Sequence, residues 1–264
     1  MKTTVLLFLM FAAAHLHAEP VAITVSAASS LKVPLEVLRV EFEKMNPDVA
    51  ITYNFGSSGS LQQQIVNGAP VDVFISAAAR QMDELDSCGL IVTESRFILA
   101  RNTLVLITPA GSPELAGFEE LSSADIKKIA AGEPRSVPAG TYAMDLLGHL
   151  GLIDAVKDKL VYAKDVRQVV VYVETGNADA GIVYGSDAAG SQAVRVVAEA
   201  PEGSHRKIAY SAAIVRASTQ TALAAVFLDF LKSPAATVCF QSAGFVTAPA
   251  QICLGVASEN RSDP

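Results

Sequence analysis

"VAITYNFGSSGSLQQQIVNG", residues 49–68, carries the signals of a strand, a turn and a helix in immediate succession. Its first seven residues are rich in β-branched and aromatic side chains and predict a β-strand. The segment GSSGS at 56–60 predicts a tight turn into a helix. Leu61 and Ile65 then recur at helical spacing, and Gly68 marks the helix end. A strand that passes directly into a helix is the repeating unit of α/β folds.

The same unit lies on both sides of this stretch. Before it, "AITVSA" (22–27) predicts a strand and leads into a helical apolar pattern, with Ser30 at the predicted N-cap. After it, "VDVFISA" (71–77) predicts a third strand, followed by a helix that carries Met82 and Leu85. The β-α-β-α-β order predicts a mostly parallel sheet with helices on both faces.

A second α/β set follows without a Gly/Pro/Ser-rich linker. We therefore predict two lobes joined by crossing strands, each a mixed, mostly parallel sheet flanked by helices, with the ligand in the cleft between the lobes. The predicted divisions are a signal peptide at 1–18, lobe I at 19–100 plus 206–250, lobe II at 101–205, and a C-terminal tail at 251–264.

The N-terminus predicts export. Lys2 precedes an apolar run at 5–14, and the small residue Ala18 precedes Glu19, which is the pattern of a secretory signal. No cysteine lies near this predicted cleavage site, so a lipid anchor is not favoured. No later apolar run approaches the roughly 20 residues that a membrane span needs. The prediction is a soluble protein exported to the periplasm.

Charge and the cysteine and histidine spacing disfavour nucleic-acid binding and metal binding. The net charge is −7, which disfavours nucleic acid because nucleic-acid binding needs a Lys/Arg footprint. It also means that any anion site has to be built locally. Of the three cysteines, Cys239 and Cys253 are close enough in sequence for a disulfide, which the sequence leaves open, and Cys88 is expected to be buried. Neither cysteines nor histidines have metal-site spacing.

One pattern raises the possibility of catalysis. Ser29-Ser30-Leu31-Lys32 matches the S-x-x-K of serine acyl enzymes, with Ser29 as the nucleophile. The companion S-D-N and K-T-G patterns and the G-x-S-x-G elbow are missing from the chain. We therefore predict that the protein is not an enzyme, and a secreted serine hydrolase is kept as a distant alternative.

Hydroxyls and backbone amides gather at the predicted helix starts. Each helix start offers free N–H groups and the positive end of a helix dipole, which suits an anion. For a single serine, ordinary N-capping is the commoner role.

The order of six motifs resembles that of the periplasmic molybdate-binding proteins of ABC importers, over roughly residues 22–248. The motifs are "AITVSAASSL", "FGSSGSLQQQI", "GAPVDVFISA", "VPAGTYA", "KDVRQVV" and "AGIVYGSDA". The resemblance implies a two-lobed (type II) solute-binding protein that closes on one oxyanion. It implies molybdate or tungstate as ligand, no cofactor, no directly ligated metal, a monomeric state, and an ABC permease with its ATPase as partner.

The family's ligand contacts fall on residues that are present here. The resemblance implies hydroxyl and N–H donors from Ser30 and Ser58, N–H donors from Ala139 and Val166, and the phenol of Tyr184. Such a shell of donors suits a tetrahedral anion that is fully deprotonated at neutral pH, whereas hydrogen phosphate would bring a proton with no acceptor to meet it. Sulfate satisfies the same rule, so a sulfate-binding or other oxyanion-binding protein remains the alternative.

Overall fold

The computed structural model describes residues 20–247, so the predicted signal peptide, the tail and Cys253 lie outside the described residues. Strands and helices alternate along the chain. The strands are β1 Val21–Ala28, β2 Val49–Gly56, β3 Val73–Ser76, β4 Phe97–Arg101, β5 Leu104–Pro109, β6 Ile129–Gly132, β7 Leu160–Ala163, β8 Ala180–Tyr184, β9 Val194–Glu199 and β10 Ala209–Ile214. The helices are α1 Lys32–Met45, α2 Ser58–Val66, α3 Ala79–Ser87, α4 Pro138–His149, α5 Ile153–Val156, α6 Val166–Glu174, α7 Gly185–Ala189, α8 Thr221–Leu231 and α9 Pro234–Ser242.

These strands form two five-stranded sheets of the same design. The first has the order β2-β1-β3-β10-β4, and β10 is antiparallel to both of its neighbours while the other strands share one direction. The second has the order β7-β6-β8-β5-β9, and there β5 is the reversed strand. The predicted two-lobed α/β architecture, with mixed, mostly parallel sheets, is confirmed.

The chain crosses between the two sheets twice. Residues 102–103 join β4 to β5, and residues 200–208 join β9 to β10. The two crossings lie side by side, since the N–H of Asn102 donates to the carbonyl of Ile208 at 3.4 Å. The lobe boundaries that we expect from the sequence remain a prediction.

Apolar faces of the helices cover both sheets. In the first lobe, Phe42 of α1 packs edge-on against Phe227 of α8, with ring centroids 5.2 Å apart. In the second lobe, α4 approaches β6 so closely that a Cβ on Gly140 would collide with the carbonyl oxygen of Gly132. This close approach fixes the start of α4 against the end of β6.

None of the described helices is by itself long and apolar enough to cross a membrane. Helices α8 and α9 reach that length and composition only as a pair, and they meet at a bend of 63°.

Three short strands are not predicted from the sequence. Strands β4, β6 and β7 are only four or five residues long, and β6 consists of Ile, Ala, Ala and Gly. Ser30 does not cap α1: a 3-10 turn at Ser29–Leu31 moves the helix start to Lys32, and no side chain caps it.

Cys88 is exposed, contrary to the expectation of burial. Helix α3 ends at Ser87, and Gly89 then turns the chain with a positive φ of 67°, which leaves Cys88 outside the apolar face of the helix. Of the two cysteines for which the sequence leaves a disulfide open, Cys253 lies outside the described residues.

Candidate functional site

A small cavity of about 10 Å³ lies between the two sheets, at the carboxyl ends of parallel strands from both. This is where open α/β sheets bind ligands. The cavity is lined by Ala28, Ser29, Ser30, Gly56, Ser57, Ser58, Ala77, Val137, Pro138, Ala139, Val166 and Tyr184. This volume has room for about one water molecule and none for an organic solute.

Larger cavities have volumes of about 90, 220, 520 and 580 Å³, and the one of 220 Å³ shares Ser30 with the small cavity. The three largest have acidic side chains in their lining, for example Glu174, Glu120 and Glu199 respectively, whereas the cavity of about 90 Å³ is lined by Arg80, Arg206 and Lys207. We assign the functional site to the small cavity because it gathers helix starts from both lobes and its described lining contains no charged residue.

Strand register brings the first-lobe turns to one level. Ala28 at the end of β1 is paired with Gly56 at the end of β2. The turns that follow these two strands therefore lie next to each other at the cavity. Ser58 is the first residue of α2 and is fully buried. Its hydroxyl oxygen accepts a hydrogen bond from the N–H of Ala77, at 2.9 Å. The proton of the Ser58 hydroxyl is therefore available to a ligand.

Ser57 has a different role from its neighbour. It is the N-cap of α2, and its hydroxyl accepts from the N–H of Ser60 at 3.3 Å and donates to the hydroxyl of Ser60 at 2.9 Å. The Ser57 hydroxyl thus makes its hydrogen bonds within the turn. The distinction between the two serines is not visible in the letters GSSGS.

The second lobe contributes two more helix starts. Gly132 of β6 is paired with Ala163 of β7, and the helices that follow these strands begin at the cavity. Ala139 lies in the first turn of α4, and Val166 is the first residue of α6. Such N–H groups have no partner within their own helix and point along the positive end of its dipole.

Tyr184 ends β8 and is almost completely buried. Its phenol oxygen has no hydrogen-bond partner among the described residues. A buried hydroxyl without a partner lowers the stability of the folded state by about 1 to 3 kcal/mol. A ligand oxygen that accepts from this phenol would remove that cost. Burial raises the pKa of Tyr184 well above its usual range, with smaller contributions from Tyr210, Tyr142 and Asp187, so the phenol keeps its proton.

One acidic side chain follows Tyr184 closely in the chain. Burial raises the pKa of Asp187 to about 7, although Arg167 opposes the shift. The residue as a whole is half-buried, but its Oδ2 is buried without a hydrogen-bond partner among the described residues, and Asp187 is not part of the cavity lining.

The two lobes touch across the cleft beside the cavity. The N–H of Gly59 in α2 donates to the carbonyl of Ser136 at 2.9 Å, and a Cβ on Gly59 would lie 2.6 Å from that oxygen. Beside this contact, Arg206 of the crossing at 200–208 forms an ion pair with Asp145 of α4 at 2.9 Å. The structure therefore has the lobes closed on each other, and closure needs a glycine at position 59.

The structure brings together around one cavity all five residues that the resemblance singles out: Ser30, Ser58, Ala139, Val166 and Tyr184. Sequence analysis does not identify the residues behind this lining: Ala77 and Tyr210, which hydrogen-bond to Ser58 and Ser30, and Asn102, which hydrogen-bonds to Tyr210. Tyr210 has the pattern of an ordinary core residue in a strand. The alternative Ser29–Lys32 pair gains no support, since Lys32 is exposed and makes no hydrogen bond to Ser29 within residues 20–247.

Comparisons with known proteins agree with this geometry. A family model described as bacterial extracellular solute-binding protein matches residues 23–246. The molybdate-binding protein ModA of Haemophilus influenzae is 38% identical over 227 residues, which cover 84% of this chain and 89% of that protein. ModA of Escherichia coli is 39% identical over 228 residues, which cover 84% and 88%.

A solved structure shares the fold at similar coverage. The periplasmic molybdate-binding protein of Azotobacter vinelandii superimposes with a TM-score of 0.78 at 29% identity, covering 86% of this chain and all of that one. Because the family model spans nearly all of the described residues, the chain belongs to the bacterial extracellular solute-binding protein family.

Proposed function

We propose that this protein captures molybdate, and tungstate with it, in the periplasm and delivers it to the permease and ATPase of an ABC importer. The observation that carries the proposal is the cavity itself, which is closed between two lobes and lined by hydroxyl and N–H donors without a charged residue among the described lining. The molybdate-binding relatives at 38% and 39% identity support the choice of ligand.

The hydroxyl and N–H donors of the cavity favour a ligand that is fully deprotonated. One lone pair of the Ser58 hydroxyl is engaged by the N–H of Ala77, and the Tyr184 phenol keeps its proton, so both groups have a proton to donate. Molybdate offers only acceptors at neutral pH, and hydrogen bonds to an ionised partner are the strong ones. Hydrogen phosphate would bury a proton against these donors, at a cost of roughly 1 to 3 kcal/mol.

Sulfate obeys the same donor rule and is the second candidate ligand. Only the size of the closed cavity separates it from the larger molybdate and tungstate. We expect the protein to act as a monomer that binds and releases its ligand, without catalysis and without a cofactor.

The ligand class can be tested by thermal denaturation with a panel of oxyanions. At 100 times its dissociation constant, a ligand stabilises the folded state by roughly 2.7 kcal/mol. Molybdate and tungstate should raise the melting temperature clearly, sulfate less or not at all, and phosphate not at all. A phosphate shift equal to that of molybdate would contradict the donor rule. Acylation of Ser29 by a fluorophosphonate probe would favour the hydrolase instead.

The contact serine can be tested by calorimetric titration of Ser58→Ala with molybdate. The substitution removes a hydrogen bond to an ionised partner, which should cost about 1.5 to 3 kcal/mol, or about ten- to hundredfold in affinity. Ser57→Ala is the matched control: loss of its cap should lower the stability by about 1 kcal/mol and leave the affinity nearly unchanged. Equal losses of affinity in both variants would show that the wrong serine is assigned.

Closure can be tested with Gly59→Ala. The added methyl group would meet the carbonyl of Ser136 at 2.6 Å, so the lobes should fail to close fully and molybdate should bind at least tenfold more weakly. Small-angle scattering should show contraction on adding molybdate for the wild type and less for the variant. Gly111→Ala, where the added methyl group meets nothing within 4 Å, is the control and should contract normally. Normal contraction and affinity in Gly59→Ala would refute the closed contact.

A further inference from the structure

We propose that Tyr210, held by Asn102, fixes the direction of the Ser30 hydroxyl so that its proton is donated into the anion cavity. The inference rests on the proposed function and extends it from the residues that line the cavity to two residues behind them. In the described structure, neither Tyr210 nor Asn102 lines that cavity. Their proposed role is positioning, not direct contact with the ligand.

The chain of hydrogen bonds begins at Asn102, whose amide orientation is determined by backbone donors. Its side-chain oxygen accepts from the N–H of Thr103 at 3.0 Å and from the N–H of Ser186 at 3.4 Å. The amide nitrogen must therefore occupy the other position. From there it donates to the hydroxyl of Ser186 at 2.8 Å and to the phenol oxygen of Tyr210 at 3.4 Å.

The next link is the Tyr210 phenol. Its oxygen lies 2.9 Å from the hydroxyl oxygen of Ser30, and geometry alone permits either group to donate. Among residues 20–247 the phenol has only two hydrogen-bond partners, Asn102 and Ser30, and the Asn102 amide nitrogen can only donate, so the buried phenol proton is directed to Ser30. Tyr210 is fully buried, and burial raises its pKa well above the usual range, so the phenol retains the proton that it donates.

The last link is Ser30 itself. With one lone pair engaged by Tyr210, its hydroxyl proton is free, and Ser30 lines the anion cavity. A serine hydroxyl can donate or accept, and only donation suits a fully deprotonated anion. The arrangement matches that of Ser58, whose oxygen accepts from the N–H of Ala77. Ser30 and Ser58 are thus both turned into donors by a group behind them.

The position of Asn102 links this orientation to the closed arrangement of the lobes. Asn102 lies in the crossing between β4 and β5, Tyr210 lies in β10 of the first sheet, and Ser186 lies in α7 beside the second sheet. The Asn102 side chain therefore contacts both lobes at the crossing, and the hydrogen-bond chain reaches the cavity from that point.

A double-mutant cycle tests the proposal, with molybdate affinity measured by calorimetry for wild type, Tyr210→Phe, Ser30→Ala and the double variant. Tyr210→Phe should weaken binding about three- to tenfold, the value of one neutral hydrogen bond. In the Ser30→Ala background the same change should have almost no effect, because the group that it orients is gone. Tyr53→Phe removes another tyrosine hydrogen bond, to the carbonyl of Leu35 at 3.0 Å, and should leave affinity unchanged.

A merely structural role for Tyr210 would give the same loss of affinity with and without the Ser30 hydroxyl, and that result would overturn the inference. If Tyr210→Phe does not fold, Asn102→Ala replaces it in the cycle, with an expected loss of about two- to fivefold that also vanishes in Ser30→Ala. Wild-type protein that binds no molybdate would overturn the proposed function and this inference with it. Wild-type binding with additive losses would overturn the inference alone.

Discussion

A doubly charged anion loses its hydration shell when it enters a protein cleft, and each lost hydrogen bond has to be replaced by a donor that already points inward. In this chain no charged residue of the described cavity lining balances the anion, and the overall charge of −7 opposes it. The proposed function therefore depends on the orientation of neutral groups. Ala77 orients Ser58, the chain from Asn102 through Tyr210 orients Ser30, and burial keeps the proton on Tyr184.

The fold supplies these donors because strands end where helices begin. Parallel register places the ends of β1 and β2 side by side in one lobe and the ends of β6 and β7 side by side in the other. Each lobe alone presents only part of the donor set: Ser30 and Ser58 in the first, and Ala139, Val166 and Tyr184 in the second. The contact between Gly59 and Ser136 closes the two lobes on each other, so binding and closure are expected to be one event.

Sequence reasoning predicts the architecture, because strand-to-helix turns have strong local signals and the six motifs are specific. The five residues that the resemblance singles out all line the cavity, and their contact with a ligand stays a prediction. Sequence reasoning does not predict β6, whose four small or apolar residues have no periodicity. It also assigns Ser30 to helix capping, whereas the tertiary contact with Tyr210 decides the role of that hydroxyl. Tyr210 and Asn102 are separated from Ser30 by 180 and 72 positions, and no local pattern encodes such a contact.

A crystal structure of the protein grown with molybdate, with the molybdenum located by its anomalous scattering, tests the central claim most directly. We expect the molybdenum atom between the two lobes, its oxygens within hydrogen-bond distance of Ser30, Ser58, Ala139, Val166 and Tyr184. No lysine, arginine or added cation should touch the anion. A cationic side chain or a metal ion in contact with the molybdate oxygens, or molybdate bound outside this cavity, would contradict a site that holds its ligand with neutral donors alone.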